Sequence, residues 1–297
     1  MTDGSGAIYA TRESTIRDTM LGELPVPAPA RVIPFLKWAG GKRWLTSSQR
    51  LPVPAKFNRY IEPFLGGGAV FFHLRPTNAI IADVNAELID LYEAIKAHPN
   101  ELQSRMDQHQ ALHSHEHYYA TRSAVPTGAL ERAARTLYLN RTCWNGLYRV
   151  NLKGEFNVPI GGKTTVVFDG EDFGAISAAL AGAEIRCADF ESTIDLAKEG
   201  DFVFVDPPYT VQHNFNGFVK YNERIFSWAD QQRLRDTVQR ALARGAAVVV
   251  TNADHESVHK LYDGVCEYRS LSRASVLSAD AAFRGQTTEA LFVGNMG

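Results

Sequence analysis

The sequence lacks a long apolar run: no stretch of its 297 residues is suited to cross a bilayer as a helix. Its first residues lack the basic-then-apolar order of a secretion signal. Cysteine is scarce. Cys143, Cys187 and Cys266 are odd in number and far apart, which excludes a disulfide framework and a cysteine metal motif and fits a reduced, cytoplasmic chain. Repeats are absent, and biased composition is confined to residues 1–31, whose Gly, Pro and Ala content reads as a flexible leader. An excess of positive charge is also missing. The net charge of −2 rules out a strongly basic coat. What remains, 45% hydrophobic and 22% charged, is an ordinary soluble globular composition, enough for one large domain or two modest ones.

Charge is unevenly spread. Arg31, Lys37, Lys42, Arg43, Arg50, Lys56 and Arg59 occur with no acid between residues 31 and 61. A second stretch holds Arg132, Arg135, Arg141, Arg149, Lys153 and Lys163 against Glu131 and Glu155. Such patches can meet phosphates while the chain stays near neutral. Taken singly, each also reads as a solvated face.

Strand-like runs alternate with helical patterns. "RYIEPFLGGGAVFFHL" reads as strand, glycine turn and helix, and "NAIIADVNAELIDLYEAIKA" repeats the form. "GDFVFVDPPY" and "AAVVVTNAD" are further strands. Between them a helix places Leu234, Val238, Ala241 and Leu242 on one face and stops at Gly245. The alternation predicts an α/β fold with a mostly parallel sheet covered on both faces. Residues 93–180 interrupt it with polar helices and a loop-rich, hairpin-like segment, and read as an inserted module.

Two features point to a nucleoside-bearing cofactor. Gly66, Gly67 and Gly68 lie between a strand and a helix, where the backbone can turn tightly against a ligand. Asp83 sits at the tip of the next strand, a position from which an acid takes ribose hydroxyls. These features leave a dinucleotide and S-adenosylmethionine (SAM) equally open. "FLKWAGGKRWL" is no phosphate loop, but Trp38 and Lys42 offer it an aromatic face and a cation. In "DPPYT", Asp206 and the Pro207 carbonyl are acceptors for the two hydrogens of an amino group, Pro207 and Pro208 stiffen the loop, and Tyr209 offers a ring for stacking. His109, His113 and His117 have helical spacing without a carboxylate or cysteine partner, and read as a polar, solvated helix rather than a metal site. Scattered Ser, His and Asp residues lack the setting of a hydrolase triad.

Six blocks, in order, resemble the Dam-like SAM-dependent DNA adenine-N6 methyltransferases: "FLKWAGGK", "YIEPFLGGGAVF", "ADVNAELIDLY", "YLNRTCWNGLYRVNLKGEFNVP", "VFVDPPY" and "VVVTNAD". The resemblance spans most of residues 35–292. It implies SAM as methyl donor and double-stranded DNA as substrate, with a target-recognition insert at 93–180 between catalytic parts 32–92 and 181–297. Carried over by position, Trp38, Lys42, Phe64, Gly66, Gly68, Asp83, Asp189, Phe190 and Asp206 would bind the cofactor. Asp206, Pro207, Pro208 and Tyr209 would form the catalytic tetrapeptide, whose aspartate favours adenine. Trp144 and Asn145 would support the gap left by an extruded base, and Arg149 would meet a guanine. Pro159, Lys163 and Arg141 are expected on the DNA side, Arg141 as either a phosphate contact or a structural residue. Phe218 and Tyr221 lie in a segment that resembles the loop over the flipped base. After Pro159, "IGGKTTVVF" departs from the family's more basic hairpin end, which leaves GATC or a related site as the expectation for the target. The resemblance further implies a cytoplasmic monomer, with a restriction endonuclease, where one exists, as a separate chain. An enzyme of RNA or protein amides, or a silent DNA-binding protein, is the alternative. Protein-glutamine enzymes carry Asn where this chain has Asp206 and lack the "NRTCWNGLYRVN" block. The intact tetrapeptide argues against a silent DNA-binding protein.

Overall fold

The computed structural model describes residues 32, 34–151, 153–212, 226–274 and 286–297. The expected leader at 1–31, Phe218 and Tyr221 lie outside the described residues. Five short apolar runs become the parallel strands β1 (Tyr60–Glu62), β2 (Ala79–Asp83), β3 (Ala183–Cys187), β4 (Phe202–Val205) and β5 (Ala247–Ala253). β6 (Glu267–Ala274) and β7 (Gln286–Gly294) complete one sheet in the order β3-β2-β1-β4-β5-β7-β6, with β7 antiparallel to both neighbours.

Strand residues alternate between two apolar layers because successive side chains point to opposite faces. Tyr60, Ile81, Phe202, Phe204 and Val249 join one cluster. Ile61, Ile80, Val203, Val205, Val248 and Val250 join the other. Burial on both faces explains why β4 reads as an unbroken apolar run, each large side chain contributing about 1.5–3 kcal/mol.

On the first face lie α2 (Ala69–Leu74), α3 (Ala86–Ala97), α4 (Pro99–Leu112), α5 (His115–Ser123), α6 (Ala129–Thr142) and α7 (Phe173–Leu180), all preceded in the chain by a short α1 (Arg43–Ser47). The second face carries α8 (Phe190–Ile194), α9 (Trp228–Ala243) and α10 (Glu256–Tyr262). Helix α9 starts at a capping box formed by Ser227 and Asp230. It buries Leu234, Val238 and Ala241, with Leu242 partly buried against the same cluster, and ends before Gly245 at φ +87°.

The helices between residues 98 and 142 have no core of their own. Leu102, Met106, Tyr118, Leu137 and Tyr138 belong to the same apolar cluster as Tyr60 and Phe202. Val32–Gly297 forms one compact unit, and α3 ends at Ala97. The histidine-rich helices also differ from the solvated face expected of them. His109 stacks on Tyr138 with ring centroids 4.5 Å apart and bonds His117 at 2.9 Å, while His113 bonds the Tyr138 hydroxyl at 2.9 Å. These rings join α4, α5 and α6 instead of facing water. Among the described residues no three His, Cys, Asp or Glu side chains gather as a metal site.

Candidate active site

The strand order reverses between β1 and β4. From β1 the chain moves outward through β2 to β3, then returns to place β4 against the other side of β1. The loops after β1 and β4 therefore diverge and open a crevice at the strand tips, where ligands bind in open α/β sheets. The glycine turn follows β1 and Asp206 follows β4.

Asp206 keeps 16% of its side-chain surface exposed. Its Oδ1 accepts from Lys42 Nζ at 2.9 Å and from the Thr251 hydroxyl at 2.6 Å. Sheet register explains the second bond. Val205 pairs with Val250, so the next residues, Asp206 and Thr251, lie side by side. Among the described residues no donor reaches Asp206 Oδ2 or the Pro207 carbonyl, so the two acceptors expected from the sequence remain available. Burial raises the Asp206 carboxyl, and Lys42 and Thr251 counter that shift.

Lys42 is 3% exposed. It donates to the Gly40 carbonyl at 2.8 Å and pairs with Asp206 and, at 3.5 Å, with Glu289. Burial opposes its charge, but Asp206, Tyr209 and Glu289 more than offset this and raise its pKa. Lys42 is a buried counter-ion for the Asp206 carboxylate. Its ammonium also lies 4.9 Å from the centroid of the Tyr209 ring.

The glycine turn brings the backbone under Trp38. Gly66 has φ +47°, and a Cβ there would lie 2.7 Å from Trp38 Cδ1. Trp38 in turn stacks on Tyr148 with centroids 5.2 Å apart. Gly68 has φ +63° and caps α2, with no room for a Cβ beside the Tyr92 hydroxyl. Asp83 is held rigidly: Oδ2 accepts from Gly66 N at 3.1 Å and Oδ1 from Asn85 N at 3.0 Å. Burial pushes its carboxyl up against those bonds.

Phe64 and Phe190 stack on one another at 5.4 Å, and Asp189 caps α8 through Glu191 N. Arg233 from α9 grips this pair. It bonds both Asp189 oxygens at 2.7 and 3.0 Å and lies 4.1 Å over the Phe190 ring. That grip holds the Asp189 carboxyl below its usual range.

The recognition block forms an exposed corner. Trp144 is 59% exposed and Asn145 adopts φ +57°. Their loop is pinned by Trp144 N to the Pro159 carbonyl at 2.9 Å and by a bridge between Cys143 and Ile160. Asn151 N then bonds the Glu155 carbonyl at 2.9 Å and Val150 bridges Phe156, and Arg149 beside them places Nε on Asn157 Oδ1 at 2.8 Å. Lys37 and Lys163 line one cleft of about 380 Å³ with Trp38 and Arg43. Partial burial and the charge of Lys163 lower the Lys37 pKa. Cys143 is buried, and burial pushes its thiol up to about 11, which excludes it as a nucleophile at neutral pH.

Of the two roles left open for Arg141, its contacts match the structural one: it is 4% exposed, pairs with Glu171 and donates to the Val166 and Phe35 carbonyls, so it ties the insert to the N-terminal segment. Sequence reasoning also passed over Glu62, Thr251, Glu289 and Arg233. Glu62 ends β1 within a quoted block. It is buried, bonded to the Tyr60 hydroxyl at 2.8 Å, and pushed up to about 8 chiefly by burial. Thr251 stands in "VVVTNAD". Glu289 and Arg233 have no local signal that links them to residues 206 and 189.

A glycine cradle and a paired carboxylate at the switch point of a mixed sheet define an α/β enzyme with its site at the strand tips. Residues 38–278 match the D12 class N6 adenine-specific DNA methyltransferases. The chain is 38% identical over 273 residues to the Type II methyltransferase M1.LlaDCHI of Lactococcus lactis subsp. cremoris, covering 89% of this chain and 95% of that relative. It is 37% identical over 256 residues to the Type II methyltransferase M.MjaIII of Methanocaldococcus jannaschii, covering 78% and 89%. It is 34% identical over 242 residues to a DNA adenine methylase of Haemophilus influenzae, covering 78% and 83%. The chain belongs to the D12 class N6 adenine-specific DNA methyltransferase family, and is an enzyme that methylates adenine in DNA at a specific site.

Proposed function

We propose that the enzyme uses SAM as methyl donor and acts on an adenine extruded from double-stranded DNA. The observation that carries this reading is the pair of acceptors, Asp206 Oδ2 and the Pro207 carbonyl, that no donor among the described residues fills, at the same strand tips as the Gly66–Asp83 cradle. The residues present suit the donor: a carboxylate for ribose hydroxyls at Asp83, aromatic surface at Phe64, Phe190 and Trp38, a second carboxylate at Asp189, and glycines whose Cβ space is taken. SAM, when bound, supplies an electrophilic methyl group.

The chain's own residues do the rest. Adenine N6 is conjugated with its ring and is a weak nucleophile. Asp206 and the Pro207 carbonyl accept its two hydrogens and turn its lone pair outward. Lys42 and Thr251 fix the carboxylate so that one oxygen faces the base. Tyr209 stacks on the base and Pro208 stiffens the turn. Extrusion is required because N6 cannot be reached inside a duplex. Residues 93–180 serve as the recognition part and 32–92 with 181–297 as the catalytic part. Trp144 and Asn145 fill the gap, Arg149 reads a guanine, and Lys37 and Lys163 meet phosphates. GATC or a related site is the proposed target, read by a cytoplasmic monomer. Relatives named as Type II methyltransferases support a separate partner endonuclease. Expression in a host free of DNA methylation, followed by sequencing of modified bases, should give N6-methyladenine at one short site. Unmodified DNA from cells containing folded protein would overturn the reading.

A further inference from the structure

We infer that Glu289 is a positioning residue for the catalytic tetrapeptide, acting through the Tyr209 hydroxyl. Glu289 sits on β7, 80 residues beyond Tyr209, and is 5% exposed. Its Oε2 accepts from the Tyr209 hydroxyl at 2.8 Å and meets Lys42 Nζ at 3.5 Å. Lys42 in turn pairs with Asp206. One carboxylate oxygen therefore ties together the stacking ring and the counter-ion of the base-orienting acid. Register puts it there: β7 runs antiparallel to β5, and Glu289 pairs with Ala253, two residues beyond Thr251. A tyrosine ring turns freely about its side-chain torsions unless its tip is held. Stacking on a base fixes only the plane, and the hydroxyl bond fixes the remaining tilt. A reacting amino group is sensitive to such displacement, where about 1 Å can cost roughly 100-fold in rate.

This inference rests on the proposed reading of Tyr209 as the stacking platform. Its test uses the full chain, SAM and a duplex that carries the target site, with single-turnover methyl transfer as the rate. E289M keeps the volume and loses the acceptor, while E289Q keeps an acceptor for the hydroxyl. The rate of E289M should fall roughly 10- to 100-fold, and E289Q should recover most of it. In a Tyr209→Phe background, E289M should cost clearly less than in the wild type, because only its contact with Lys42 is left to lose. With 2-aminopurine at the target position, the E289M complex should fluoresce more brightly than wild type as the extruded base loses its stacked geometry. Equal fold-losses in the wild-type and Tyr209→Phe backgrounds, or wild-type rate and fluorescence in E289M, would overturn the role of Glu289. A wild-type protein that transfers no methyl group to DNA would instead overturn the reading of the site itself.

Discussion

In the proposed role, Asp206 combines two tasks that ordinarily conflict: a carboxylate must be dry enough to bind an amino group tightly and charged enough to accept from it. Lys42 and Thr251 resolve this by holding Oδ1 while Oδ2 stays open. Asp206→Ala should abolish transfer, by at least about 100-fold, since it removes an acceptor aimed at the reacting nitrogen. SAM binding, followed by calorimetry, should weaken about tenfold at most, because the Asp83 cradle is untouched. Gly66→Ala tests that cradle. A side chain at φ +47° is strained by roughly 1–3 kcal/mol, and its Cβ would displace Trp38. Thermal melting should fall and the Kd for SAM should rise, while DNA affinity measured without cofactor holds.

The insert's helices and hairpin separate DNA contacts from structural ones. Arg141 and Glu171 pair in the interior, so Arg141→Met strands a buried carboxylate and should cost about 3–5 kcal/mol in urea unfolding. Arg141→Met with Glu171→Leu should recover most of that loss. Neither variant should change the salt dependence of DNA binding. Lys163→Ala should instead lower affinity for all sequences and reduce the salt slope by about one ion. Arg149→Ala should relax discrimination at one base pair by about 1–3 kcal/mol, read from a panel of substituted duplexes. Asn157, which fixes the Arg149 Nε, gives the guanidinium a defined direction from the hairpin stem.

Across the whole molecule, two buried groups set opposite pH trends in stability. Glu62 is held near 8 in the fold against an ordinary 4.5. Its neutral form is the folded one, so its contribution is complete below pH 4.5 and is lost as pH rises towards 8. Burial lowers His109 to about 4 from 6.5, so neutral imidazole is the folded form and its contribution is lost as pH falls from 6.5 towards 4. Urea midpoints plotted against pH should show both slopes. Glu62→Gln should flatten the alkaline one, where Asp83 and Asp206 are also raised by burial, and leave the acid one.

Strands β1, β2, β4 and β5, the glycine turn, Asp83 and the acceptor pair at 206–207 were all legible in the chain. Each depends on neighbours within a few residues: apolar alternation, φ freedom at glycine, rigidity at proline. The resemblance of six ordered blocks added the family. Contacts between distant segments stayed hidden. Arg141 lies in a basic stretch and reads as either a phosphate contact or a structural residue until Glu171 is seen beside it. Lys42 reads as a cation, its protein partners unspecified, until β4 and β7 bring Asp206 and Glu289 to it. The histidines of α4 and α5 read as solvated until Tyr138 is stacked on them. The sequence by itself determined which groups could orient an amino nitrogen and cradle a nucleoside. Tertiary structure alone decided which charges are buried against one another, because sheet order and register bring together residues that no local pattern connects.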